Sequence, residues 1–196
     1  MDVTPEEVIA CLNDAEIKNW VLMGLHGYVG YLPMPRATQD VDVLVPYSQK
    51  QRAASAIARR WPTLSKQTLS QVIRFADPQD CDSDGKPKPV IDIMSPWSPF
   101  QELILREHVI EDAETHSCYP TLEAAIVSKY APLISSQRSI DEKSYDGCDL
   151  RRIIKANANK IDHERLRTLG DLVWEQGGAE VLRFIDLALA DQPFPT

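Results

Sequence analysis

Two aspartates separated by one residue, Asp40 and Asp42, are the strongest candidates for chemistry in this sequence. They belong to the run DVDVLV, in which Val41, Val43 and Val45 occupy the alternate positions. This alternation predicts a strand whose valines face a core and whose two carboxylates share the opposite face. Same-face neighbours lie about 6.6 to 7 Å apart, so both carboxylates can converge on one or two Mg²⁺ ions. Such ions clamp in-line displacements at phosphorus. The other interpretation is an amphipathic strand that shows two solvated aspartates to water.

The residues upstream of the aspartates favour an anion site. The apolar run over residues 17–23 predicts a buried strand that leads into Gly24, and residues 25–31 are predicted to begin a helix. The free N–H groups at a helix N-terminus attract anions, and a triphosphate is an anion. The alternative is that Gly24, Gly27 and Gly30 only allow tight packing.

These residues together resemble a known superfamily. The resemblance is to the nucleotidyltransferase fold, in particular its minimal and AbiEii-type toxin branch, and it rests on Gly24 and on the RxTxDxD pattern of Arg36, Thr38, Asp40 and Asp42. It implies that the turn at Gly24 and Leu25 holds the triphosphate of a nucleotide, with Arg36 and Thr38 bracing that turn. It also implies that Asp40 and Asp42 bind Mg²⁺, or Mn²⁺ in its place. Leu25 departs from the family, which usually has glycine or serine there.

A third acid interrupts a later apolar run. Residues 90–94 read VIDIM and predict a strand, preceded by a strand over 71–76 and a polar loop over 80–89. An unpaired acid inside such a strand is costly to bury, so Asp92 either faces water or binds something. In the resembled family the third metal carboxylate comes from a neighbouring strand at about this distance. This makes Asp92 the candidate third ligand, which would also help to deprotonate the acceptor.

The C-terminal part of the sequence contains a second group of family-like residues. They are Lys129, Arg138, Lys143, and Asp146 with Asp149 in a DxxDL pattern. The resemblance implies a phosphate contact for Lys129 and a role as base or orienting group for Asp146. Both roles suit phosphoryl transfer, in which negative charge spreads over oxygens and a hydroxyl must lose a proton. In the alternative, Lys129 is a solvated helix residue and Asp149 pairs with Arg152 or Arg138.

The order of the predicted elements favours an α/β (α+β) fold. The first 60 residues read helix, strand, helix, strand, helix, and from Thr121 onward all candidate elements are helical. We therefore predict a nucleotidyltransferase-like mixed sheet flanked by helices over residues 1–115. A C-terminal helical bundle is predicted over residues 116–196.

Composition narrows the function classes. The net charge of −8 and the pI near 5.0 disfavour extended nonspecific nucleic-acid binding. No apolar run is long enough for a membrane span, and the acidic N-terminus lacks a signal segment, so a cytoplasmic protein is expected. The cysteines and histidines are scattered, which predicts free thiols and no structural zinc.

The leading hypothesis is transfer of a nucleoside monophosphate from a nucleoside triphosphate to an acceptor hydroxyl. By resemblance, the acceptor is the end of a transfer RNA, a small molecule or a protein, and an antitoxin is a candidate partner. A second hypothesis, motivated by Leu25, is a catalytically degenerate binding or regulatory protein. A third is an acidic interaction protein. The enzyme hypothesis alone requires carboxylates from two strands to converge beside the turn at Gly24.

Overall fold

The structure is a computed structural model that describes residues 3–34 and 38–195. The strands are β1 (Val21–Leu22), β2 (Val41–Leu44), β3 (Ser65–Thr68), β4 (Val72–Cys81), β5 (Pro87–Met94), β6 (Val109–Glu111) and β7 (Cys118–Pro120). The α-helices are α1 (Pro5–Asp14), α2 (Gly24–Gly27), α3 (Lys50–Arg60), α4 (Pro99–Glu107), α5 (Leu122–Ile134), α6 (Ile140–Asn157), α7 (His163–Asp171) and α8 (Gly177–Leu189). The predicted order of the first elements and the helical character after Thr121 are confirmed.

Five of the strands form one mixed sheet in the order β1-β2-β5-β4-β3. Strands β2 and β5 pair in parallel, whereas β1 with β2, β4 with β5, and β3 with β4 pair antiparallel. The parallel pair is possible because α3 and the β3–β4 hairpin supply the long connection that a parallel crossover needs. This mixed sheet with flanking helices and a helical C-terminal region is the predicted fold class.

The two faces of the central strands enter different cores. Val41 and Val43 of β2 and Ile91 and Ile93 of β5 are fully buried in a core that contains apolar residues of α1 and α3. Side chains alternate along a strand, so Asp42 lies on the opposite face together with Leu44. That face packs against the C-terminal helices, which places the aspartate at the junction between the sheet and those helices.

The core on the aspartate face is built from both parts of the chain. Leu44 belongs to a buried cluster with Met23 and Leu25 from the first part and with Tyr130 and Phe184 from α5 and α8. Tyr130 and Phe184 meet edge to face, with ring centroids 5.3 Å apart. The division of the chain at residue 115 stays a prediction.

Helix α6 begins at a capping box. The Ser139 backbone N–H donates to Glu142 Oε2 over 2.9 Å, and the Glu142 N–H donates back to Ser139 Oγ over 3.3 Å. These bonds satisfy two N–H groups that a helix start leaves without intrahelical partners. They fix the residue at which α6 begins.

The predicted loop over residues 80–89 is wrong at both ends. Strand β4 continues to Cys81 and β5 begins at Pro87, so the two strands form a long hairpin with Gly85 at its tip. Lys88 Nζ and Asp80 Oδ1 pair across this hairpin at 2.7 Å. The polar composition predicted a loop because it carries no apolar alternation, whereas cross-strand pairing stabilises the extension.

Three elements were missed and one was predicted too long. Strand β3 is exposed at every position, so it has no apolar pattern, and β7 spans three residues. Helix α4 begins at Pro99 directly after Ser98, a helix-start pattern that was not recognised. Of residues 17–23, only Val21 and Leu22 pair with β2, because the preceding residues pack as an irregular segment.

Two expectations from composition can be compared with the fold. All four cysteines are free thiols. No helix within residues 3–34 and 38–195 is long and apolar enough to cross a membrane.

Candidate active site

Three charged side chains lie in one row across the sheet. In the strand register, Arg74 of β4 is opposite Asp92 of β5, and Asp92 is opposite Asp42 of β2. The flanking residues of all three strands face the α1–α3 core, so the three charged side chains share the face toward the C-terminal helices. Carboxylates from two neighbouring strands therefore meet beside the turn at Gly24.

Asp92 is buried and paired with Arg74. The Arg74 guanidinium donates from Nε to Oδ1 over 3.0 Å and from Nη2 to Oδ2 over 2.6 Å. Asp92 is 6% exposed, which rules out the alternative that it faces water. Because a bidentate guanidinium already contacts both oxygens, a metal at Asp92 would have to share the carboxylate with Arg74. The role of Asp92 as the third metal ligand stays a prediction.

Asp42 lies where a negative charge is unfavourable. Desolvation is the main cause that raises its pKa to about 7, and the negative charges of Asp40 and Asp92 raise the pKa further. Lys129 and Arg74 lower it only in part. A cation bound at Asp42 would relieve this repulsion, so the site has the electrostatics of a metal-binding carboxylate.

The backbone at Gly24 approaches Asp42 closely. Gly24 has φ +59°, and a Cβ added there would lie 2.3 Å from Asp42 Oδ2. The Met23 N–H donates to the Asp42 carbonyl oxygen over 2.8 Å and holds the two segments together. Only glycine fits this position, because any side chain would displace the carboxylate.

The segment after Gly24 is less regular than predicted. Residues 25–31 were expected to begin a helix, but α2 ends after one turn and a 3-10 helix over Val29–Tyr31 follows. Leu25 is buried in the core of the C-terminal helices, and Gly27 packs so closely that an added Cβ would lie 2.3 Å from the Leu22 carbonyl oxygen. The packing interpretation thus holds for Gly27, whereas Gly30 has open space around it.

Thr38 and Asp40 lie at the entrance of β2. The Thr38 hydroxyl donates to a carboxylate oxygen of Asp40 and so orients that side chain. Both residues line the same pocket as Asp42. Arg36, the remaining member of the RxTxDxD pattern, lies outside the described residues.

Lys129 forms a buried charged group with two aspartates of α6. Its Nζ lies 2.9 Å from Asp146 Oδ1 and 3.1 Å from Asp149 Oδ2, and 6.0 Å from the centroid of the Tyr28 ring. Lys129 is 7% exposed, so the alternative of a solvated lysine is wrong, and Asp149 pairs with Lys129. Pairing of Asp149 with an arginine stays a prediction. The phosphate role of Lys129 and the base role of Asp146 stay predictions.

These residues surround one pocket of about 300 Å³. Its lining residues are Gly24, Leu25, Thr38, Asp40, Asp42, Lys129, Arg138, Glu142, Tyr145 and Asp146. Four of them are acids and two are basic. Both basic groups already contact acids, since Arg138 Nη1 lies 3.0 Å from Glu142 Oε1. A triphosphate could enter this pocket favourably only with cations that offset the acidic excess.

The donor set suits magnesium bound together with a substrate. Among residues 3–34 and 38–195, no group of three or more His, Cys, Asp or Glu side chains is placed to hold a metal ion by itself. Mg²⁺ prefers oxygen ligands and is usually held by one or two carboxylates together with waters and substrate phosphates. Asp40 and Asp42 would be such a partial set, with the remaining positions left to waters and substrate, and magnesium binding stays a prediction.

The fold is shared with solved nucleotidyltransferases and their relatives. The chain is similar to an antigenic nucleotidyltransferase-like protein from Paracoccidioides brasiliensis, with 15% identity, a TM-score of 0.53, and 94% of this chain and 90% of that chain covered. The solution structure of the antibiotic-resistance factor ANT(2'')-Ia gives 13% identity, a TM-score of 0.53, and coverage of 97% and 98%. This chain has the nucleotidyltransferase fold. A structure of ANT(2'')-Ia in complex with adenylyl-2''-tobramycin matches with 9% identity, a TM-score of 0.51, and 94% coverage of both chains. No family model and no curated protein matches the sequence.

Within this nucleotidyltransferase fold, sequence reasoning overlooked two residues of the site. Arg74 appeared only as the polar position of an apolar strand, although its alternation with Ile73 and Phe75 placed it on the face opposite the core. Tyr28, whose ring lies beneath Lys129, had no signal beyond its neighbourhood to Gly24. The strand register brings Arg74 to Asp92, and packing of the segment after Gly24 near α5 brings Tyr28 to Lys129.

Replacing Arg74 with glutamine should destabilise the protein by about 1–3 kcal/mol, because Asp92 would keep a buried charge without its bidentate partner. This value is below that for a fully buried pair, since the Arg74 side chain is 36% exposed. Thermal unfolding would measure the effect. Lys88→Gln, which breaks the surface pair with Asp80, is the matched control and should cost less than about 1 kcal/mol. Equal losses in the two variants would contradict a special role for the Arg74–Asp92 pair.

Magnesium binding should strengthen as the pH rises through about 7. Protons compete with the metal for Asp42, and about one tenth of a group with pKa 7 is ionised at pH 6 against about nine tenths at pH 8. We therefore expect roughly tenfold tighter apparent Mg²⁺ binding at pH 8, measured as metal-induced stabilisation.

In the metal-free protein, the contribution of Asp42 to stability changes with pH in the opposite direction to the Mg²⁺ affinity. The folded state holds the Asp42 proton more tightly than the unfolded state, so this contribution to stability falls as the pH rises from about 4 to about 7. Both dependences should disappear in Asp42→Asn. A Mg²⁺ affinity that does not change between pH 6 and 8 would contradict the assignment of the metal site to Asp42.

Proposed function

We propose that this protein is a metal-dependent nucleotidyltransferase that moves a nucleoside monophosphate from a nucleoside triphosphate to an acceptor hydroxyl. The observation that carries the proposal is the convergence of Asp42 and Asp92, from two paired strands, beside the turn at Gly24. The hypothesis of an acidic interaction protein gives no reason for this costly clustering of like charges.

In this function Asp40 and Asp42 would hold Mg²⁺, or Mn²⁺ in its place. The bound ion would neutralise negative charge on the phosphates and polarise the reacting phosphoryl group. Gly24, with no side chain, would let the backbone approach the triphosphate, and Lys129 would contact a phosphate oxygen once the nucleotide competes with Asp146 and Asp149 for its ammonium group.

The remaining step is removal of the acceptor proton. The acceptor oxygen attacks the α-phosphorus, the bond to pyrophosphate breaks, and a carboxylate accepts the hydroxyl proton. Asp92 and Asp146 are the two candidates. Asp92 lies beside Asp42 in the sheet register, whereas Asp146 faces the same pocket from α6.

The acidic lining supports a strict requirement for metal. Lys129 and Arg138 are both neutralised by neighbouring acids, so the pocket offers a free triphosphate little attraction. A metal–nucleotide complex carries less negative charge than the nucleotide alone, and the ion would contact the aspartates directly. Nucleotide binding should therefore disappear when the divalent cation is removed.

Two acceptor classes follow from the likenesses of the chain. ANT(2'')-Ia, which shares the fold, is known in complex with adenylyl-2''-tobramycin, a nucleotidylated small molecule. The resemblance to AbiEii-type toxins suggests the end of a transfer RNA, with an antitoxin as partner. The acidic character of this chain favours testing small molecules first.

A second candidate is a nucleotidyltransferase-fold protein that binds nucleotide without turnover. The observation that favours it is Leu25, which lies in the apolar core at the position where the family usually has a small or hydroxyl-bearing residue. This candidate shares the binding prediction and differs only in catalysis.

The test is calorimetric titration of the wild-type protein with nonhydrolysable analogues of the four common nucleoside triphosphates, with Mg²⁺ and with chelator. We expect binding with Mg²⁺ only. Incubation with α-labelled triphosphates and acceptor pools of small molecules or transfer RNA then separates the two candidates, since only an enzyme transfers label. Failure of the folded protein to bind any of the four nucleotides would overturn both candidates.

A further inference from the structure

Asp92 differs from the two aspartates at β2 because it already contacts a cation. Its Oδ1 accepts a hydrogen bond from Arg74 Nε over 3.0 Å, and its Oδ2 accepts one from Nη2 over 2.6 Å. Hydrogen bonds between two ionised groups are about twice as strong as those between neutral groups. Asp92 is buried, so water cannot easily replace the guanidinium as a partner for its charge. Asp92 and Arg74 therefore form a neutral pair.

This pair lies beside the pocket. Asp40 and Asp42 line the pocket of about 300 Å³, whereas neither Asp92 nor Arg74 is among its described lining residues. In the order of the sheet, β5 lies between β2 and β4, so Arg74 is on the far side of Asp92 from Asp42. Two carboxylates thus face the space that a triphosphate would enter, and the third is held by the guanidinium.

Arg74 also interacts electrostatically with the two aspartates that line the pocket. Its hydrogen bonds to Asp92 raise the pKa of the Arg74 guanidinium, and the negative charges of Asp92, Asp42 and Asp40 raise it further, although burial opposes them. The guanidinium stays charged at every pH at which the protein would work. A divalent cation placed between Asp42 and Asp92 would be repelled by this fixed positive charge.

The residues present therefore fit one divalent cation better than two. Two-metal sites hold a pair of ions about 3.5 to 4 Å apart, on the attacking and leaving oxygens. Such a pair carries four positive charges, and the carboxylate that would complete its ligands is neutralised by Arg74. Across residues 3–34 and 38–195, no three acidic, histidine or cysteine side chains are arranged to hold a metal ion.

We propose that this site takes a single divalent cation, held by Asp40 and Asp42 together with the substrate phosphates, and that Arg74 takes the place of a second cation beside Asp92. The proposal rests on the proposed function. It assigns Arg74 a positioning role, because the guanidinium acts on the site through the Asp92 carboxylate. It also assigns Asp92 no contact with the metal.

The test counts the metal ions in the complex with nucleotide. The wild type, with one equivalent of a nonhydrolysable nucleoside triphosphate analogue, would be titrated with Mn²⁺, and the free ion would be measured by its EPR signal. We expect one bound Mn²⁺ per protein. Two ions about 3.5 to 4 Å apart would also couple magnetically, and we expect no such coupling in the spectrum of the bound metal.

Three variants test the part played by Arg74. Arg74→Gln leaves Asp92 free to bind a metal and should raise the count to two. The double variant Arg74→Gln/Asp92→Asn removes the pair without leaving a buried charge alone. It should bind one Mn²⁺ with an affinity within about threefold of the wild type, because the lost pair is neutral. Lys88→Gln breaks a surface pair outside the site and should bind one Mn²⁺, as the wild type does.

The outcomes separate this proposal from the function on which it rests. Two bound ions in the wild type would overturn the proposal and leave the nucleotidyltransferase function in place. The same holds if the double variant loses more than about threefold in Mn²⁺ affinity, or if folded Arg74→Gln binds one ion. The wild-type count and the double variant decide the question even if Arg74→Gln does not fold. A wild type that binds no nucleotide would overturn both the proposal and the function.

Discussion

Asp42→Asn is expected to reduce nucleotidyl transfer by about a hundred- to a thousandfold and to remove Mg²⁺-dependent nucleotide binding. Asparagine keeps the shape of the side chain but loses the charge that a divalent cation needs, and each group that stabilises a phosphoryl transition state directly is worth about 10²–10³ in rate. The structure places this carboxylate between Asp40 and Asp92, with the backbone of Gly24 above it. No other carboxylate of β2 can replace it.

The same change should not destabilise the fold. Ionised Asp42 is unfavourable in the metal-free protein, as its raised pKa shows, so removal of the charge should leave the melting temperature unchanged or raise it at pH 8. Asp84→Asn, at the exposed tip of the β4–β5 hairpin, is the control and should retain both activity and stability. Transfer that survives in Asp42→Asn would show that catalysis occurs elsewhere.

Gly24→Ala should lower transfer about a hundredfold. The new Cβ would lie 2.3 Å from Asp42 Oδ2, a distance that real Cβ atoms do not tolerate, so the carboxylate or the turn must move. A displacement of about 1 Å in a catalytic group can cost 10²-fold in rate. The left-handed φ of +59° adds a stability cost of about 1–3 kcal/mol for a residue with a side chain.

Gly85→Ala isolates the steric part of this effect. Gly85 also has a left-handed φ, +76°, but an added Cβ would meet nothing within 4 Å. Both variants should therefore lose stability from the left-handed backbone, and only Gly24→Ala, which also has the clash, should lose transfer and metal-dependent nucleotide binding. If the two variants retained equal activity, the close approach of Gly24 to Asp42 would have no catalytic importance.

The features that the sequence predicted correctly depend on neighbours close in the chain. The alternation of Val41, Asp42 and Val43 gave the strand and its two faces, because a strand has a period of two residues. The helical character of the chain after Thr121 was predicted because helix signals also join residues three or four apart. The mixed fold followed from the order of these elements and from the resemblance carried by the residues around Asp40.

The features that required the structure depend on pairing between distant segments. Extension of the β4–β5 hairpin through polar residues, and the edge strand β3, are stabilised by hydrogen bonds to neighbouring strands and not by local preference. The register of three strands brings Arg74 to Asp92 and Asp92 to Asp42. No periodicity in the sequence encodes that alignment.

The arrangement of α5 and α6 around the pocket also depends on contacts between segments that are distant in the sequence. From the sequence, Lys129 of α5 fitted a solvent-exposed position as well as a position in the site. Packing of α5 against α6 buries it beside Asp146 and Asp149. The spacing of three residues places the two aspartates on one face of α6. The side of α6 that faces the pocket was set by burial of its apolar residues in the cluster that contains Leu44, because the core fixes the orientation of each helix.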